Sequence, residues 1–258
     1  MEYGICLLSM IPVRKEPSDI SEMTNQILFG ETFQIMETSE KWSKIITTID
    51  DYEGWIDLKQ YYTITEIQKN EIQKSFNFIL DDIYGFIASQ DTKINIVIGS
   101  SLPELSNKIV SILNLNYEIK GKIGSVNQPF LEKNIIETAI KYLESPYLWG
   151  GRSPFGIDCS GLTQIVYKIN GIQIPRDANK QAEIGVTIDF INEAHEGDLV
   201  FFDNEEGNII HVGIYFGNSK IIHASGKVRI DTIDHQGIFN TETQKYTHKL
   251  RIIKRINK

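Results

Sequence analysis

Cys159 lies in the run Asp158-Cys159-Ser160-Gly161-Leu162, between a loop, YLWGGRSPFGID, and a segment, CSGLTQIVYKING, that reads as a helix. The thiol is therefore expected at the last loop position or in the first turn of that helix. A free thiol ionises near pH ~8.5, and unpaired amides at a helix N-terminus together with a nearby imidazole favour the thiolate, its nucleophilic form. Two histidines stand in strand-like runs, His211 in IIHVGIYFG and His223 in KIIHASG. They are 223 − 211 = 12 positions apart, enough for one strand, a turn at Gly217-Asn218 and the return strand, which allows them to lie side by side on one sheet face. The first could take the thiol proton while the second, bonded to its other ring nitrogen, fixes the tautomer, as an aspartate does in serine triads. Each residue also has a plain structural reading: a free cysteine commonly packs as a small hydrophobe, and a lone histidine commonly satisfies a local hydrogen bond.

Zinc held by Cys159, His211 and His223 fits on ligand type, but the short paired spacings of such sites, C-x-x-C or H-E-x-x-H, are missing from the chain. No glycine-rich loop of the phosphate-cradling kind is present either, so the expectation is a reaction with neither metal nor organic cofactor. His195, His235 and His248 stand in polar stretches and are expected at the surface. Cys6 sits in the first apolar run and is expected inside a core; two cysteines this far apart make no disulfide framework.

The elements that must position these groups change character along the chain. Residues 1–60 alternate short β-like runs with turn signals, the spacing of a small barrel, with Trp42 and Trp55 expected to fill its core and Gly54 to serve a tight hairpin. Residues 61–125 open on a polar stretch, TEIQKNEIQKS, and then alternate like strands; the readings are a second barrel or an extended spacer. Beyond Pro129 the period becomes helical. LEKNIIETAIKYLE places Leu131, Ile135, Ile136, Ala139, Ile140 and Leu143 on one stripe. The Cys159 segment follows, stopped at Gly171, and then the strand-like runs GDLVFF, HVGIYFG, KIIHAS, VRIDTI and LRIIKRI. Two helices before an antiparallel meander make an α+β plan over residues 126–258.

The 258 residues are 41% hydrophobic and 23% charged, a globular mixture. Lysine plus arginine number 26 against 34 aspartate plus glutamate, a balance of −8 that opposes a phosphate-tracking surface and so argues against nucleic acid. The acid is concentrated in residues 1–125, with 11 basic and 18 acidic side chains, a field that favours a cationic ligand end. No export signal and no apolar run of membrane-spanning length is visible, which gives an expected cytoplasmic location and no membrane partner. The oligomeric state is left open.

The ordered set PYLWGG, DCSGL, IPRDANKQ, GDLVFF, HVGIYFG and IIHAS is similar to the NlpC/P60 family of cysteine peptidases over residues 130–258, and VRKEPSD, LFGE, KWSKI and DDYEGWI resemble the bacterial SH3-like module. The resemblance implies an α+β protein with one or more N-terminal SH3-like barrels and a papain-like catalytic domain, in which Cys159 is the nucleophile, His211 the general base and His223 the orienting residue. It also implies Tyr147 beside the oxyanion site, and Asp158 and Ser160 in substrate binding; an N-cap is the competing reading of Asp158, and the two can both hold. A barrel ahead of this domain resembles the γ-D-glutamyl-L-diamino-acid endopeptidases, which act on murein peptides with a free N-terminal L-Ala. Glu22 and Tyr52 match positions that, with Asp158, receive the ammonium there. Ala178 stands where the family often has a substrate-contacting serine, which leaves preference at the D-glutamyl position open. Two rival functions follow from the same residues: an exported D,L-endopeptidase acting on polymeric wall, and a peptide-binding protein without turnover.

Overall fold

A computed structural model of the chain describes residues 1–127 and 132–256. Pro129, where the period changes, and Leu131, the first member of the apolar stripe, lie outside the described residues, as do the last two residues of the basic C-terminal run. Contacts divide the chain into two compact units, Met1–Gln128 and Pro129–Lys258.

In the first unit seven strands form an antiparallel sheet in the order Met23–Leu28, Met10–Arg14, Glu53–Asp57, Trp42–Thr47, Thr32–Thr38, Glu2–Ile5, Tyr62–Ile64. Cys6 is fully buried in its core with Ile11, Val13, Ile27, Phe33 and Ile45. Trp42 is buried as expected, whereas Trp55 is not, which corrects the sequence expectation for that residue. Strand parity gives the reason for Trp55: its neighbours Gly54 and Ile56 are both buried, so the alternation turns Trp55 to the other face, where it is half-buried. Gly54 is likewise no hairpin residue. It lies within a strand, where a Cβ would come 2.3 Å from Val13 Cγ1, while the turn itself falls at residues 48–52 with Asp51 at φ 54°.

Residues 61–125 hold a four-stranded antiparallel sheet, Lys93–Val97, Tyr84–Ala88, Leu115–Lys120 and Ile109–Ile112, and a separate pair, Phe78–Leu80 with Ile123–Ser125. The polar opening stretch is the helix Glu66–Lys74, started by a reciprocal cap in which the Thr65 hydroxyl accepts from the Gln68 amide and the Gln68 side chain accepts from the Thr65 amide. It buries one apolar residue, Ile72, too few to leave a helical period in the sequence. Tyr3 and Ile5 of the first strand and Phe29 of the turn after Met23–Leu28 share a core with Leu80, Ile87 and Val110.

The second unit carries the helices Glu132–Ile140, Cys159–Ile169 and Ala178–Gln181 and a seven-stranded antiparallel sheet in the order Val186–Ile188, Lys245–Arg255, Leu199–Asp203, Ile209–Gly217, Lys220–Ser225, Lys227–Ile233, Gly237–Asn240. The eleven-residue strand Lys245–Arg255 also pairs with Gly237–Asn240, so six of the strands close on themselves around Val200, Phe202, Tyr215, Ile221 and Ile233. Ile140, expected on the buried stripe, is 42% exposed, and the fully buried Tyr142 follows it inward instead. The helix Cys159–Ile169 is buried along its whole length and ends where expected: Gly171 takes φ 78°, and the Gly171 and Ile172 amides close the last turn on Lys168 and Tyr167. Among the described residues no helix is long and apolar enough to cross a membrane.

Candidate active site

Cys159 is the first residue of its helix, and Asp158 is the N-cap, its carboxylate accepting from the Gly161 amide at 2.7 Å. The glycine-rich loop before it is drawn against this turn. The Gly150 amide donates to Asp158 Oδ2 at 2.7 Å, and a Cβ on Gly161 would meet the Gly151 carbonyl at 2.3 Å, so neither a bulkier loop nor a bulkier helix residue fits. Arg176 completes the surroundings of the acid with two bonds, Nη1 to Oδ1 at 3.0 Å and Nη2 to Oδ2 at 2.6 Å, and a third to Ser160 Oγ at 2.8 Å. Both oxygens of Asp158 are thus occupied from within the unit. The structure shows the N-cap role for Asp158, which the expected substrate-binding role does not exclude. Gln181, on the short helix after Arg176, donates to the Ser160 carbonyl at 3.1 Å and accepts from Thr163 at 2.7 Å, tying the same turn from the other side.

Burial governs the thiol. It pushes Cys159 up to about 11, with the negative charge of Asp158 adding to the effect, while hydrogen bonds from the Val212 and Ser160 amides and the charge of Arg176 work the other way without prevailing. Burial thus works against the thiolate anticipated from the helix N-terminus. Tyr147, 37% exposed, is held by its amide on the Gly226 carbonyl at 3.0 Å, and burial, followed by the charges of Cys159 and Asp158, pushes its phenol up to about 12. It remains a neutral O–H donor at the mouth of the site.

The histidines sit as their spacing predicts. Asn218 and Ser219 both take positive φ, 50° and 56°, and turn the strand Ile209–Gly217 back into Lys220–Ser225. His211 Nε2 lies 2.8 Å from His223 Nδ1, and the Val212 amide that bonds the Cys159 sulfur directly follows His211 in the chain. Both rings are buried. Burial, then the neighbouring His223 and His248, hold His211 well below the usual imidazole range. His223 uses its remaining nitrogen on Asp231 Oδ2 at 3.0 Å, and Arg229 grips that carboxylate through Nε at 2.7 Å and Nη2 at 3.0 Å. Burial works to raise Asp231, but the bonds from His223 and Arg229 outweigh it and keep it ionised. With both ring nitrogens of His223 occupied, no lone pair is left there for zinc. Among the described residues no group of three or more histidines, cysteines or acids is arranged to hold a metal.

His248 departs from expectation. Its ring stacks on His211, centroids 4.2 Å apart and planes 24° apart, because the long closing strand brings Lys245–Arg255 against the histidine face. Burial, then the charge of His223, lowers it to about 4. His195 and His235 are exposed as expected. In the first unit, Glu22 is exposed and pairs with Lys15 at 3.5 Å, and Tyr52 is half-buried with its amide bonded to the Thr47 hydroxyl at 2.9 Å. Sequence reasoning passed over Arg176, Gln181, Arg229, Asp231 and His248. The run IPRDANKQ held a signal for the first two, a basic and an amide residue in an otherwise turn-like segment. For Asp231 the signal was an acid on the strand VRIDTI that returns beside His223.

Fold and site together define a class, the α+β cysteine peptidases. Residues 144–249 match the NlpC/P60 family, and residues 13–60 match the bacterial dipeptidyl-peptidase SH3 domain. The chain is 30% identical to dipeptidyl-peptidase 6 of Lysinibacillus sphaericus, across 90% of this chain and 92% of that protein. It is also 30% identical to the gamma-D-glutamyl-L-lysine dipeptidyl-peptidase of Bacillus subtilis, across 77% and 71%. The crystal structure of an NlpC/P60 family protein from Bacillus cereus aligns over 98% of this chain and 99% of that one, with a TM-score of 0.82 at 22% identity, a likeness of fold. The chain belongs to the NlpC/P60 family and carries a bacterial SH3 domain in its first unit; it is a cysteine peptidase, and its substrates are peptides.

Proposed function

We propose that this peptidase cleaves the bond between γ-D-glutamate and the following diamino acid in murein peptides that begin with a free L-Ala, releasing L-Ala-γ-D-Glu inside the cell. The reading rests on one observation above others: a buried thiol at a helix start, bonded by the amide next to His211, whose Nε2 is in turn bonded to His223 at 2.8 Å. The substrate class is supported by the relatives' names and by the SH3 domain type of residues 13–60.

With Nε2 of His211 engaged, Nδ1 is the nitrogen left to take the Cys159 proton. The thiol and the imidazole both start neutral, so the proton leaves as the sulfur bonds to the γ-carbonyl carbon. The oxyanion forms near the Cys159 amide and the Tyr147 hydroxyl, which stays protonated and able to donate. Collapse expels the diamino-acid amine, which takes the proton from His211 and leaves a thioester on Cys159. Water, giving its proton to His211, then frees the dipeptide and restores the thiol. Preference for a free amine is assigned, on the family resemblance, to Glu22 and Tyr52 together with Asp158.

Mass spectrometry of L-Ala-γ-D-Glu-meso-diaminopimelate, its lysine counterpart and their N-acetylated forms, beside intact murein sacculi, tests the reading. Cleavage of the free peptides and its absence with Cys159→Ala is the expected result. Cleavage of acetylated and free peptides alike would remove the roles of Glu22 and Tyr52, and sacculus digestion at a comparable rate would replace the small-peptide reading with that of a wall endopeptidase.

A further inference from the structure

We propose that Asp231, clamped by Arg229, is a positioning residue of the reaction: it fixes the tautomer of His223 and thereby keeps Nδ1 of His211 free to receive the Cys159 proton. The inference rests on the peptidase reading and deepens it. An ionised carboxylate only accepts, so the 3.0 Å contact requires a proton on His223 Nε2. A neutral His223 then presents a bare Nδ1, which at 2.8 Å can only accept, so His211 must donate from Nε2. The remaining nitrogen of His211, Nδ1, carries the lone pair. Reversing the direction of either bond would put the proton on Nδ1 and disable the base.

Arg229 is what makes the acid dependable. Its two bonds occupy both carboxylate oxygens, orient the oxygen that meets His223, and are themselves steadied by Glu242 at 3.2 Å. The side chain of Asp231 is 97% buried, so water does not substitute for these partners. The other charged or titratable groups around the pair are His248, on the long closing strand, and, on the helix side, Cys159 with Asp158 and Arg176 behind it. Among these, Asp231 is the acid bonded to a ring nitrogen.

NMR of wild-type protein carrying 15N-labelled imidazoles reads the tautomers without substrate. The expected spectrum between pH 6 and 7.5 has protonated Nε2 and bare Nδ1 on both His211 and His223; a proton on Nδ1 of His223 overturns the proposal. In kinetics, Asp231→Asn is expected to lower kcat by about 100-fold or more with KM within about 3-fold. Its acid limb of kcat/KM should move to lower pH, because the imidazolium loses its counter-charge, and Asp231→Glu should recover activity to within about 10-fold of wild type. An unchanged kcat, or a loss with an unmoved acid limb and no recovery by glutamate, would reduce Asp231 to a structural role. If the asparagine variant does not fold, the wild-type spectrum decides. A wild type that cleaves no murein peptide sinks the functional reading and leaves the tautomer result standing, so the two failures are distinguishable.

Discussion

Gly213 sits directly opposite His223 on the neighbouring strand, and a Cβ at residue 213 would lie 2.9 Å from the His223 Cβ and 2.7 Å from Ile221 Cδ1. The empty place lets His211, two residues earlier on the same face, reach diagonally to His223. Gly213→Ala is expected to push the rings apart, lower kcat about 10- to 100-fold and cost about 1–3 kcal/mol of stability through overpacking. Steady-state kinetics and urea unfolding check it; an alanine variant with full activity would show that the ring pair tolerates displacement.

Arg176 and Asp158 are both nearly inaccessible, with side-chain exposures of 2% and 5%. Removing one partner leaves a buried charge without its counterpart, so Arg176→Met should destabilise the second unit by about 3–5 kcal/mol in urea. Arg176→Met combined with Asp158→Asn removes both charges and should recover part of that loss. If the double variant is no more stable than the single one, the ion pair is not what holds this turn.

The thiol pushed up to about 11 has a direct chemical signature. Alkylation of Cys159 by iodoacetamide is expected to be slow at pH 7 and to rise close to tenfold per pH unit through pH 9, following the thiolate fraction. Catalysis needs neutral His211 instead, and since burial keeps that group well below the usual imidazole range, kcat/KM should hold flat down past pH 6.5 before its acid limb begins. An alkylation rate already at its plateau near neutral pH would show a resting thiolate and imidazolium.

His211 and His248 also set a direction for acid stability. In the unfolded chain both bind protons as pH falls through about 6.5, whereas in the folded protein His248 holds out to about 4 and burial holds His211 well below its usual range. The unfolded state binds more protons in that window, so stability is lost progressively as pH drops from about 6.5 towards 4. His248→Phe keeps a ring against His211 without a titrating nitrogen and should flatten the urea midpoint against pH. A variant as acid-sensitive as wild type would place the effect on other groups.

The chemistry of the nucleophile was legible because it is written in local patterns. DCSGL puts a cysteine where a helix begins, and the interval from His211 to His223 is one strand, a two-residue turn and a return, so period and turn residues alone bring two rings together. Motifs in order gave the family on the same basis. The barrel core was misjudged at Trp55 because parity within the strand, not side-chain size, selects the buried face. The helix Glu66–Lys74 was missed because a single buried isoleucine leaves no period to read.

The reactive groups and the elements that carry them are thus readable from the chain alone, since both depend on near neighbours in it. Their states follow from packing. Burial pushes the thiol up, Arg176 from 18 positions away clamps the Asp158 cap, and the sheet lays His248 on His211 and Asp231 behind His223. Charge state and hydrogen-bond direction depend on which distant groups are packed against a side chain and how much water is excluded, and those are properties of the folded chain.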